Sequence, residues 1–303
     1  MKATLDLDRL LAEGKIDQAE YDKLNSLAAR STSTLVFNIC IAFGVTAVSV
    51  AAIALLPEPV MAIGVGLLIA VAGMSLIQAQ IEEWQVLARI CMLVGALLFG
   101  GGLIWLGEGS AGSFLVVAVS FAVAGVLARS ALLVVLAVLA LSSCIGARTD
   151  YFQATYVLGI EEPALIILLF SIFSLGAFQL SKHVPVAYRQ LAIAASRTGV
   201  LLVNLGFWIG SLWGDSFPGS GIHLYKLVFV LLWAASLLGV GIWAWRVNRR
   251  WLVGLVAMFG GIHFYTQWFE RLGASAGSVL IAGVLALAVA VGVRALYAGA
   301  QPE

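Results

Sequence analysis

The chain has 303 residues, 62% of them hydrophobic and 11% charged, with a formal net charge of +1 and a mean hydropathy of +1.03. A soluble domain carries about 25% charged residues, so this chain lacks the polar surface to coat a water-soluble globule. Composition places it among polytopic membrane proteins, and the absence of a clustered basic stripe gives no expectation of a nucleic-acid partner.

Residues 1–30 form the one sizeable polar piece, and the rest, 31–303, reads as a transmembrane domain. The opening segment reads as a cytoplasmic amphipathic helical hairpin. Leu7, Leu10 and Leu11 recur at helical spacing before Gly14, a good C-terminal cap. Asp17 followed three residues later by Glu20 has the form of a capping box that starts a second helix. Ile16, Tyr21, Leu24 and Leu27 then make an apolar stripe. So short a segment buries little core alone. Its stripe must pack within the hairpin, on the membrane, on the bundle or on a partner, so self-association or a protein partner is expected there. A basic n-region followed by an apolar h-region is absent, so the first apolar run is expected to act as the insertion signal.

Ten apolar segments follow, each near the roughly 20 residues that cross a bilayer as a helix. They cover 33–56, 60–78, 86–106, 113–128, 131–147, 164–180, 192–213, 227–246, 251–269 and 276–297. The fourth and fifth are short and parted only by Arg129 and Ser130, which suits a hairpin tip. The expected fold is an all-α bundle of about ten transmembrane helices in the lipid bilayer. With the N-terminus inside and the sides alternating, 14 of the 17 basic residues fall on the cytoplasmic side. That positive-inside bias supports both termini being cytoplasmic. The outer side receives Arg148, Lys226 and Arg271 and most of the loop acids.

Three segments running outward end alike: Trp105 with Glu108, Trp213 with Asp215, and Trp268 with Glu270, each before a Gly/Ser-rich turn. Glu108, Asp215 and Glu270 are therefore candidates for an outer acidic rim, which would attract cations or be passive. In the seventh segment Gly206, Gly210 and Gly214 recur every four residues, a smooth face for close helix packing. Asn204 lies near mid-depth of the same segment and needs a partner there, in another helix or in a solute. In the ninth segment His263, Tyr265, Thr266 and Gln267 lie deeper than the rim. With Asn204 they are the candidate polar cavity, expected to open outward between the seventh and ninth segments.

No motif for catalysis, nucleotide binding or a resident cofactor is present: there is no P-loop, HExxH, GxSxG or dinucleotide fingerprint. Cys40, Cys91 and Cys144 lie inside apolar runs and read as packing residues. His183 falls inside while His223 and His263 fall in the outer half, so no three-histidine metal site is expected.

The stretches "LLAEGKIDQAEYDKL", "GALLFGGGLIWLGEG…FAVAGVLARSALLVVLAVLAL" and "FYTQWFERLGASAGSVLIAGVLAL" resemble the bacterial membrane proteins grouped as domain of unknown function 2157. The resemblance implies a multi-pass protein of the bacterial inner membrane and supplies no catalytic residue. The opening hairpin is also similar to short oligomerisation modules. Three functions compete. The first is a non-enzymatic membrane scaffold or regulator acting through residues 1–30. The alternative is a small-solute or ion transporter using the polar cavity. The third is an enzyme acting on lipid or envelope precursors through Asp215, Glu270 or His263.

Overall fold

A computed structural model describes residues 10–11, 15–21, 40–41, 43–44, 46–48, 51, 58–80, 84–152, 155–160, 162–216 and 223–299, with 147–152, 155–160, 289–290 and 292–299 described by backbone alone. The fully bounded helices among them are α1 (Pro59–Ala79), α2 (Gln85–Leu106), α3 (Ala111–Leu127), α4 (Ala131–Cys144), α5 (Pro163–His183), α6 (Val186–Trp213), α7 (Lys226–Arg246), α8 (Arg250–Leu272) and α9 (Ala276–Gly299). Six of them, α1, α2, α5, α6, α7 and α8, are long and apolar enough to cross a membrane. The protein is a helical, membrane-type chain. Most of the first expected segment and of the opening hairpin lies outside the described residues.

The described part of the hairpin carries the expected cap. Glu20 N–H donates to Asp17 Oδ1 (2.6 Å) and Asp17 N–H to Glu20 Oε2 (3.2 Å), a reciprocal capping box. Lys15 N–H reaches back to Leu10 C=O (2.9 Å), the six-residue closure typical of a helix C-terminus.

Turn chemistry sets the helix ends. Pro59 opens α1, where its missing N–H costs nothing. Ser110 caps α3 by accepting from Ser113 N–H (3.4 Å), and Ser130 accepts from Leu133 N–H (3.4 Å) at the start of α4. Between them Arg129 takes a left-handed backbone (φ 49°), so α3 and α4 are separate helices joined by a tight turn. The architecture is all-helical, as expected, with two short strand pairings between helices. Residues 147–152 and 155–160 pair as two antiparallel strands, β1 (Ala147–Phe152) and β2 (Thr155–Ile160), with Ala147 opposite Ile160. A second, two-residue pairing joins β3 (Asp215–Ser216) to β4 (His223–Leu224). Beyond a helix end, strand pairing is one way for neighbouring backbone segments to satisfy one another.

The chain forms two compact units, residues 1–144 with 178–195, and 145–177 with 196–303. In the first, α1 and α2 meet backbone to backbone. A Cβ on Gly66 would lie 2.4 Å from Phe99 N, one on Gly95 2.4 Å from Ala70 N, and one on Gly73 2.6 Å from Met92 N. Only glycine permits that approach. Val117, Phe121 and Leu133 then pack the core of α3 and α4 against Met92 and Ala96 of α2. In the second unit the core is aromatic, with Phe207, Phe229, Trp233 and Phe259 contributed by α6, α7, α7 and α8. Outward-facing side chains are strongly apolar, including Leu68 (72% exposed), Leu175 (68%) and Leu238 (68%). Such a surface is solvated by lipid rather than by water.

Candidate functional site

The second unit brings polar side chains together within its aromatic core. Asn204 of α6 is buried. Its amide donates to Val200 C=O in the preceding turn (2.9 Å), and its Oδ1 accepts the indole N–H of Trp233 on α7 (3.1 Å). Trp233 has no exposed surface. Its ring stands edge-on to His263 of α8, 4.9 Å between centroids, and to Phe259 at 6.4 Å. One turn away, the indole N–H of Trp208 on α6 donates to Thr266 Oγ1 on α8 (3.0 Å). Each bond satisfies groups that would be costly to leave unpaired at this depth.

A cleft of about 430 Å³ lies against this cluster. Every helix from α5 to α8 contributes to it, and its polar lining is Ser171, Ser174, Asn204 and Ser236. No charged side chain lines it. Ser174 Oγ is buried without a partner, whereas Ser236 Oγ donates to Trp233 C=O (2.8 Å). The cleft runs to Trp243 in the last turn of α7 and Leu252 in the first turn of α8. It therefore reaches the end of the unit where the α7–α8 turn lies, not the Trp213 end at which an outward opening was expected.

Of the five candidate cavity residues, only Asn204 lines the cleft. His263 and Gln267 border a second hollow of about 410 Å³ along the C-terminal half of α8, together with Trp268 and Arg271. His263 Nδ1 and Gln267 Nε2 are buried there without partners. Thr266 is the acceptor for Trp208. Tyr265 belongs to neither hollow: its ring packs against Phe264 (5.3 Å) and stacks on Phe269 (5.8 Å).

Comparison with known proteins finds no matching family model, curated protein or solved structure. What the site can do is read from its own geometry.

The three rim acids occupy two environments. Glu270 and Glu108 are both exposed, Glu108 on a left-handed backbone (φ 51°). Asp215 is not an exposed rim residue. It is 7% exposed, and its Oδ2 accepts Ala164 N–H (2.9 Å), so it caps the first turn of α5 from a distance. Trp268 donates to Ser278 C=O (3.1 Å) and tethers the end of α8 to the start of α9.

The glycine face divides in the same way. A Cβ on Gly206 would press on Ile167 of α5 (3.0 Å), and one on Gly210 on the Phe229 ring of α7 (2.5 Å). Gly214 lies beyond α6 with φ 75°, where a Cβ would meet Leu224 C=O at 2.7 Å. It is a turn residue rather than part of a helix-packing face. Trp208, Trp233, Ser171, Ser174 and Ser236 were not singled out in the sequence. Trp233 had a readable signal: it sits inside the run "LLWAASLL" rather than at a segment end, and an indole N–H at that depth needs an acceptor.

Proposed function

We propose that the protein is a multi-pass carrier of the bacterial inner membrane that takes a small, uncharged, mostly apolar solute into the α5–α8 cleft. The cleft itself carries this reading. It is of small-molecule size, joined by four helices, and combines apolar walls with a few hydroxyls and one amide, the make-up of a ligand pocket. The lack of charged lining favours an uncharged solute over an ion. Ten spans with both termini cytoplasmic belong to the same proposal and rest on the positive-inside bias. The resemblance to the domain of unknown function 2157 proteins fits the membrane setting.

A second reading, a scaffold that binds a partner or a second copy through residues 1–30, is favoured by the reciprocal Asp17–Glu20 cap. That bond pattern starts a helix at residues 18–21.

One experiment separates the two. Purified protein, intact or lacking residues 1–30, is screened by thermal shift against uncharged metabolites, ions and lipids. The carrier reading expects a subset of uncharged solutes to raise Tm equally in both forms, since a ligand at 100 times its Kd adds about 2.7 kcal/mol. Ser171→Phe, which fills the cleft, should abolish that rise. If the shifts survive Ser171→Phe, or only ions produce them, the cleft is not the site. If no solute acts and the truncation alters oligomeric mass, the scaffold reading stands instead.

A further inference from the structure

The cleft and the α8 hollow border successive stretches of the same helix. Along α8 the cleft touches Leu252, Leu255 and Val256, the hollow begins at His263, and Phe259 lies between them, 3% exposed. Trp233, wholly buried, touches both: its N–H bonds Asn204, which lines the cleft, and its ring stands edge-on to His263, which lines the hollow. Phe259 and Trp233 thus form an apolar layer between the two. A phenylalanine or leucine would plug such a layer without needing any hydrogen bond. An indole needs an acceptor wherever it rests. One acceptor, Asn204 Oδ1, is occupied. Another, His263 Nδ1, is buried beside the indole and has no partner. Imidazole Nδ1 accepts when its ring proton is on Nε2.

We propose that Trp233 is the gate between the cleft and the α8 hollow, moving between two hydrogen-bond acceptors. With its N–H on Asn204 Oδ1 the passage is closed, as in this structure. With the N–H passed to His263 Nδ1, the indole leaves the layer and the two hollows join. Between these positions the N–H would be unpaired in an apolar layer, which makes the gate two-state rather than continuously adjustable. Gln267 Nε2, also buried without a partner, stands on the far side to meet a solute's acceptor group. The inference rests on the carrier reading, because a gate matters only if the cleft takes solute.

The test uses the full chain with Cys40, Cys91 and Cys144 changed to alanine and Val203→Cys as a reporter in the cleft. In sealed vesicles of each orientation, the rate of labelling by a membrane-impermeant maleimide is read from the α7–α8 turn side and from the Trp213 side. Labelling is expected from the turn side and to be slow from the Trp213 side. Trp233→Ala should speed the Trp213-side rate at least tenfold. Trp233→Phe, which keeps a ring in place but has no N–H to pass to His263, should slow it below the starting chain. His263→Phe, which removes the second acceptor, should slow it below the starting chain while turn-side labelling holds. If the Trp213-side rate stays within twofold in Trp233→Phe and His263→Phe while turn-side labelling persists, the gate is wrong and the carrier reading survives. If the reporter is labelled from neither side in any variant, both fall.

Discussion

Asn204 shows how a single amide organises its surroundings. It donates to Val200 C=O within its own helix and accepts from Trp233 across to the next, so one side chain both closes a helical turn and ties two helices. The net worth of the inter-helix bond is about 0.5–1.5 kcal/mol, but stranding either partner costs about 1–3 kcal/mol. That asymmetry makes a double-mutant cycle decisive. Asn204→Leu alone should lower stability, because it leaves the Trp233 N–H buried and unpaired. Asn204→Leu combined with Trp233→Phe should recover part of the loss, since no orphaned donor remains. Thermal melts in detergent check this. Strictly additive losses would mean that the bond carries no coupling and that Trp233 is held by packing alone. Asp215 acts by similar logic at the rim, where its carboxylate serves the start of α5 rather than the solvent.

At the scale of elements, the closest backbone approach among the described helices is the α1–α2 pair, and it makes glycines unequal. At Gly95 an added Cβ meets backbone atoms, Ala70 N at 2.4 Å and Gly66 O at 2.7 Å, and backbone cannot step aside cheaply. At Gly101, on the same helix, nothing lies within 4 Å. Gly95→Ala should therefore push the helices apart and lower Tm. Gly101→Ala should be neutral or raise stability by up to about 1 kcal/mol through helix propensity. Equal effects at the two sites would show that this approach is not what holds the pair. The helix positions were largely legible in sequence, because a long apolar run is both a hydropathy signal and a helix. The segments expected at 86–106 and 227–246 are α2 (85–106) and α7 (226–246) within a residue. The misses occur where helix and hydrocarbon part company. α6 starts at Val186, ahead of the expected 192, because Tyr188, Arg189 and Gln190 are polar yet helical. α8 runs through Trp268 to Leu272 because its stop is Gly273 (φ 71°), not the first polar residue. The glycines of α1 and α2 were in view, but their pairing depends on which helices meet, and no single segment encodes that. Asn204 and His263 were legible for the same reason as the runs, being polar groups inside apolar stretches. What lies between them, Trp233, was hidden by its apolar character.

At the scale of the whole chain, the question left by helix length is whether the α3–α4 hairpin crosses the bilayer. α3 has 17 residues and α4 has 14, so they rise about 26 Å and 21 Å at 1.5 Å per residue. Both fall short of a hydrocarbon core of about 30 Å. Parity does not decide the matter, because two crossings and none leave residues 107–110 and 145–162 on the same side. Arg129 decides it. A guanidinium at the hairpin tip is costly in mid-membrane and cheap at the headgroups, which a long side chain reaches by snorkelling over a locally thinned bilayer. Its guanidinium carbon lies 5.7 Å from the ring centroid of Tyr188, in the first turn of α6 beside Arg189. That neighbourhood is the basic, cytoplasmic end in the proposed orientation. In the chain with its three native cysteines replaced, Arg129→Cys should react with impermeant maleimide from the same side as Arg249→Cys, and Glu108→Cys from the opposite side. Reaction of Arg129→Cys from the Glu108 side, or from neither side, would remove two spans from the proposed ten and leave α3 and α4 as a hairpin that dips in and returns.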